Sequence, residues 1–73
     1  MDIKQKVGQR IKELRKKIGF SQEALANEAE VDRTYVTDVE NGRRNVSIEI
    51  LERLAKGLKI SFSDFFDSRE FKR

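Results

Sequence analysis

The sequence predicts an all-α domain of five short helices, and three observations carry that prediction. Apolar residues recur at helical spacing along most of the chain. Four good N-cap residues are each flanked by an apolar residue on the preceding side and another at the fourth helical position. Proline is absent. Seventy-three residues suffice for one domain. Charged residues make up 40% of the chain, yet the 37% that are apolar are periodic, which points to a folded domain rather than a disordered one.

The first helix is expected over 3–17. Ile3, Val7, Ile11, Leu14 and Ile18 lie on one helical face, and basic residues fill the others. Gly8 sits inside this helix at a cost near 1 kcal/mol, which suggests either a close helix contact or a tolerated flaw. Gly19 ends it. Ser21, Asp32, Ser47 and Ser61 then open four more helices, expected over 22–29, 33–40, 48–57 and 62–67. Their staples are Phe20 with Leu25, Val31 with Val36, Val46 with Leu51, and Ile60 with Phe65. Gly42 ends the third helix and Gly57 falls near the end of the fourth. Residues 1–67 are read as the domain, and the charged 68–73 as a frayed tail.

Composition excludes several kinds of chemistry. The chain has no Cys and no His, so thiolate and imidazole zinc sites, Cys and His nucleophiles and disulfides are all ruled out. It has no glycine-rich phosphate loop, and the domain is too small for a deep pocket, so an enzyme is not expected. No apolar run reaches 18 residues and the start is charged, so no membrane partner is expected and the location is read as cytoplasmic. A core of this size contributes roughly 3–5 kcal/mol, so self-association is the remaining means of stabilisation.

The charge is unevenly distributed. Residues 1–17 carry seven Lys/Arg against Asp2 and Glu13, residues 18–40 carry only Arg33 against six acids, and residues 41–73 return to a net +3. A pI near 9.5 suggests an anionic partner, and the acidic middle confines the positive charge to a few elements. Helices two and three are separated only by Glu30, Val31 and the cap Asp32, so they meet at a large angle as in a helix-turn-helix. Ala26 is small enough for that crossing.

The run SQEALANEAEVDRTYVTDVENGRRNVS resembles the lambda-repressor-like helix-turn-helix family, also called Xre or Cro. The resemblance extends through VGQRIKELRKKIGFSQEALA and SIEILERLAKGLKIS, about residues 3–66. Within that family, DRTYV followed by VENGRRNVS is similar to the controller proteins of restriction–modification systems. The resemblance implies a small, dimeric, sequence-specific regulator of transcription, encoded by a bacterium or phage and acting on its own promoter. A phage-type or stand-alone repressor is the nearest alternative. A departure stands in the turn, where the family commonly has Gly and this chain has Glu30. A left-handed Glu there costs about 1 kcal/mol.

The expected partner is double-stranded DNA. Val36 and Val39 point inward, leaving Arg33, Thr34, Thr37, Asp38 and Asn41 on the outer side of helix three. A helix in the major groove presents its N-terminal residues to base edges. Arg33 suits guanine O6 and N7, and the two Thr suit bases or phosphates. Asp38 either accepts from cytosine N4 or holds Arg33 one turn away. Tyr35 either packs at the core edge or reaches a phosphate with its hydroxyl. Gln22, first in helix two, is placed to meet a phosphate, as the resemblance also implies. Arg43, Arg44 and Asn45 suit backbone clamping. The basic residues of helix one are mostly solvated, with Arg10 expected to pair with Glu40. Glu28 and Glu30 are expected to lie away from the groove.

Residues 48–67 are expected to dimerise. Ile48, Leu51, Leu54 and Leu58 form one face of helix four, and Ile60, Phe62, Phe65 and Phe66 follow. That is more aromatic surface than one short terminal helix buries, and exposed patches of this kind mark interfaces. Ile48, Leu51, Ile60, Phe62, Phe65 and Phe66 are the interface candidates. No cofactor, metal or small-molecule effector is expected. RNA polymerase is a further partner if the protein activates. The competing reading is a protein-interaction module of the same fold, of antitoxin or adaptor type, which would bind without salt dependence.

Overall fold

The computed structural model describes residues 1–72. Among them are α1 (Ile3–Lys17), α2 (Gln22–Ala29), α3 (Arg33–Glu40), α4 (Ile48–Gly57), α5 (Phe62–Phe65) and a closing 3-10 turn, Arg69–Phe71, with no strand. The first four match the expected boundaries, and α5 stops two residues short of the expected end.

One local device repeats at the helix junctions. The residues after α1, α2, α3 and α4 that take left-handed φ are Gly19 (76°), Glu30 (57°), Gly42 (73°) and Lys59 (63°). In each case its N–H bonds a carbonyl three residues back, and the next N–H bonds one five residues back. This paired pattern satisfies the orphan carbonyls of the helix end. Three of the residues that follow are Phe20, Val31 and Ile60, which pack against the core. Each therefore closes one helix and staples the next, which is why three or four residues complete these connections.

The caps follow the expectation with one exception. Ser21, Ser47 and Ser61 accept from the backbone N–H of Ala24, Ile50 and Asp64 at 3.0–3.1 Å. Asp32 occupies the N-cap position of α3 with extended backbone, but its side chain makes no cap hydrogen bond. Asp2 and Gln5 add a capping box on α1 that the staple pattern did not mark.

The core gathers Val7, Ile11, Leu14, Leu25, Ala26, Ala29, Val36, Val39, Leu54, Leu58 and Phe65. Helix α1 crosses the end of α3 at Gly8, where a Cβ would stand 2.1 Å from the Val39 carbonyl oxygen. Gly8 is thus a packing requirement, not a flaw. Ile3 and Ile18, at the two ends of the expected apolar face, remain exposed.

Two expectations for the C-terminal region are corrected. Phe65 is 0% exposed, so it belongs to the core of its own chain and not to a subunit interface. Its place at the fourth position of the last staple is what turns it inward. Residues 68–72 are not frayed. Phe71 packs edge-on against Phe66, with ring centroids 4.9 Å apart, and lies 6.2 Å from Phe65. Lys72 pairs with Asp67 at 2.8 Å and holds that carboxyl below its ordinary value. Arg73, the last residue of the expected tail, lies outside the described residues. Among the described residues no helix is long and apolar enough to cross a membrane.

Candidate nucleic-acid interface

Helix α3 buries Val36 and Val39 and turns the rest outward. Arg33, Thr34 and Asn41 are exposed, while Tyr35, Thr37 and Asp38 are half-buried. Arg43, Arg44 and Asn45 follow in an exposed loop. These residues come together on one side because α3 ends at left-handed Gly42, which turns the loop back along the helix. Arg44 fixes that return. Its guanidinium carbon lies 4.5 Å above the Tyr35 ring, and its Nε is 3.8 Å from Asp38 Oδ2. Tyr35 packs at the core edge. Asp38 is therefore turned to Arg44 and not to Arg33. Among the described residues Arg33 makes no side-chain hydrogen bond or ion pair, so its guanidinium is available to a ligand.

Beneath this surface runs a polar network that sequence reasoning missed. Arg15 donates to Glu40 through Nε at 2.6 Å and Nη2 at 3.0 Å, and to the Phe20 carbonyl through Nη1 at 2.8 Å. The Arg15 and Glu40 side chains are 11% and 2% exposed. The hydrogen bond to Glu40 raises the Arg15 pKa above its ordinary value, against the lowering effect of burial. Glu40 Oε1 also accepts from Gln22 Nε2 at 3.1 Å, and Gln22 Oε1 accepts from the Thr37 hydroxyl at 2.9 Å. One chain of bonds thus ties α1, the start of α2 and both turns of α3.

This corrects one expectation. Glu40 pairs with Arg15, not Arg10. On a helix of 3.6 residues per turn Arg15 lies two turns from Gly8 on the same face, and that face meets the end of α3. Arg10 lies on the opposite face. It binds Glu13 at 2.6 Å and the carbonyls of Phe65 and Asp64 at 2.7 and 2.8 Å, capping the end of α5. The Gln22 carboxamide spends its oxygen on Thr37 and one N–H on Glu40, which leaves its second N–H, with the N-terminal N–H groups of α2, for a phosphate. Seven-residue spacing from a packed glycine was the available signal for Arg15.

Glu28 and Glu30 stand beside α4 and the residue that follows it. Glu28 pairs with Lys59 at 3.7 Å, and the Glu30 carbonyl accepts from Arg53 at 3.5 Å. Among the described residues no group of three or more Asp or Glu is placed to hold a metal.

A second surface is apolar. Ile48 is 79% exposed, Ile3 59%, and Phe62 and Phe66 remain partly exposed. Ile3, Val7, Val46, Leu51 and Phe66, together with Lys4 and with Arg44 and Asn45 of the basic loop, line a groove of about 180 Å³ beside it. Leu51 and Ile60 are half-buried, and Leu54 and Leu58 lie in the core. The expected face of α4 is therefore split between core and surface. Ile3 and Val46 extend the surface beyond the residues expected there.

Residues 11–65 match the protein family described as helix-turn-helix. The control protein C.MunI of Mycoplasma sp is 46% identical over 70 residues, spanning 94% of this chain and 95% of its own. The control protein C.BamHI of Bacillus amyloliquefaciens is 41% identical over 61 residues, spanning 82% of this chain and 75% of its own. Among solved structures, the restriction–modification controller protein C.Esp1396I, a tetramer in complex with its natural 35-base-pair operator, superposes with a TM-score of 0.87 at 39% identity. That match covers 92% of this chain and 88% of the other.

Proposed function

The chain belongs to the helix-turn-helix family and, within it, to the restriction–modification controller proteins, and we propose that it is a homodimeric regulator of transcription that reads a two-fold-symmetric operator in double-stranded DNA. One observation carries the reading: an exposed polar face on α3, led by an unengaged Arg33, stands beside an exposed Arg43–Arg44 loop. Arg33 and Thr34 at the start of α3 are in the position from which a recognition helix meets base edges. Arg43, Arg44 and Asn45 grip the phosphate backbone, and the α2 N-terminus adds a phosphate contact. Ile48, Leu51, Phe62 and Phe66, with Ile3 and Val46, form the self-association surface. A two-fold dimer sets two copies of α3 about 34 Å apart, one turn of DNA. The C.Esp1396I complex with its operator supports this arrangement by likeness. Control then acts through protein concentration and operator occupancy, including occupancy of the protein's own promoter.

The test is binding to duplex DNA over a salt series, followed by fluorescence anisotropy. A dimer contacting six to ten phosphates gives log K a slope of about −5 to −9 against log salt. Arg43→Ala is expected to weaken binding to all sequences and flatten the slope by about one contact per subunit. Absence of salt dependence, or of binding at low salt, would overturn the reading in favour of a protein-interaction module.

A further inference from the structure

We infer that Thr37 reads DNA as a hydrogen-bond acceptor only, and so selects which strand of one base pair per half-site carries the amino group. The inference rests on the DNA reading above and adds a specificity rule to it. A carboxylate can only accept, so the two bonds from Arg15 keep Glu40 an acceptor. Glu40 Oε1 therefore faces the amino end of the Gln22 carboxamide, as the 3.1 Å contact has it. That leaves the carbonyl end of Gln22 facing Thr37 at 2.9 Å. The other neighbour of the Thr37 hydroxyl is also an acceptor, the Arg33 carbonyl at 3.2 Å. A Thr hydroxyl has one proton. Either neighbour takes it, and only lone pairs remain for a ligand.

A hydroxyl in that state cannot donate to a phosphate oxygen, which is itself an acceptor. It cannot donate to guanine O6 or N7, adenine N7 or thymine O4. It can accept from the N6 amino group of adenine or the N4 amino group of cytosine. Every base pair carries one such group in the major groove, on one strand or the other. Thr37 therefore sorts adenine and cytosine from guanine and thymine on the strand it faces. Gln22, Glu40 and Arg15 are the positioning residues that hold this polarity.

The experiment selects binders from a random duplex library with the full chain as wild type, Thr37→Val and Thr37→Ser. Valine keeps the branched shape and removes the oxygen, and serine restores the oxygen. The wild type is expected to enrich one position per half-site that takes adenine or cytosine on one strand, favoured by roughly two- to tenfold. Thr37→Val is expected to flatten that position alone, and Thr37→Ser to keep it. An unchanged motif in Thr37→Val overturns the inference, as does a uniform loss across all sequences or a Thr37-dependent position that takes guanine or thymine. If Thr37→Val does not fold, loss of the position in Thr37→Ser, or its absence in the wild type, overturns it equally. No enrichment by the wild type defeats the DNA reading itself, an outcome distinct from enrichment without this position.

Discussion

Glu30 is the residue at which this sequence departs from its family's habit, and the departure is tolerated rather than avoided. Its φ of 57° is the conformation glycine takes at two other helix ends in the chain. The side chain is exposed and the carbonyl already has a donor in Arg53, so nothing in the turn depends on the carboxylate. Glu30→Gly is expected to stabilise the domain by roughly 0.5 kcal/mol, the left-handed penalty of about 1 kcal/mol outweighing the entropy glycine adds to the unfolded chain. The melting midpoint should rise by roughly 2–4 °C. A fall would show that the turn needs the stiffer backbone. Lys59 shares this geometry, and no pattern in the sequence marked it. Glu30 was visible in advance only through the resemblance that puts glycine in its place, and Lys59 had no such marker. Arg33, Thr34 and the Arg43–Arg44 loop were legible because exposed polar residues beside an inward Val36–Val39 pair leave few other places to point. The partners of Gln22, Asp38 and Arg10 were not, because each depends on which face of a helix meets its neighbour.

At the scale of elements, four helix boundaries were readable because caps and staples are local chemistry. The contacts between elements were less so. The Gly8 crossing shows why: helix propensity treats glycine as a defect, whereas packing makes it the condition for α1 to touch α3. Gly8→Ala decides between the two. Propensity predicts a gain near 1 kcal/mol. The added Cβ would stand 2.1 Å from a backbone carbonyl that cannot rotate away, so overpacking of roughly 1–3 kcal/mol or more should win. The variant is expected to melt below wild type and, because α3 shifts, to bind DNA more weakly. A higher melting temperature would mean the crossing yields easily. The closing turn at Arg69–Phe71 was unreadable for a related reason. A single Phe among charges looks like a frayed end until its partner rings are placed.

For the whole molecule, the division of the C-terminal aromatic residues matters most. Phe65 fills the core of its own chain, so Phe65→Ala is expected to cost roughly 3–5 kcal/mol and unfold so small a domain before it reports on association. Ile48 separates the two effects, since 79% exposure leaves it little role in the monomer. Ile48→Asp is expected to keep the helical fold and sediment as a monomer at micromolar concentration, with a melting midpoint that no longer rises with protein concentration as the wild type's does. An unchanged dimer would move the interface elsewhere. The most direct measurement of the central claim is selection of binders from a random duplex library with wild type and Arg33→Ala. The wild type is expected to enrich a two-fold-symmetric motif with half-site centres about one helical turn apart, and Arg33→Ala to lose preference at one base pair in each half. An asymmetric motif, or one that Arg33→Ala leaves intact, would contradict dimeric reading of the major groove by α3.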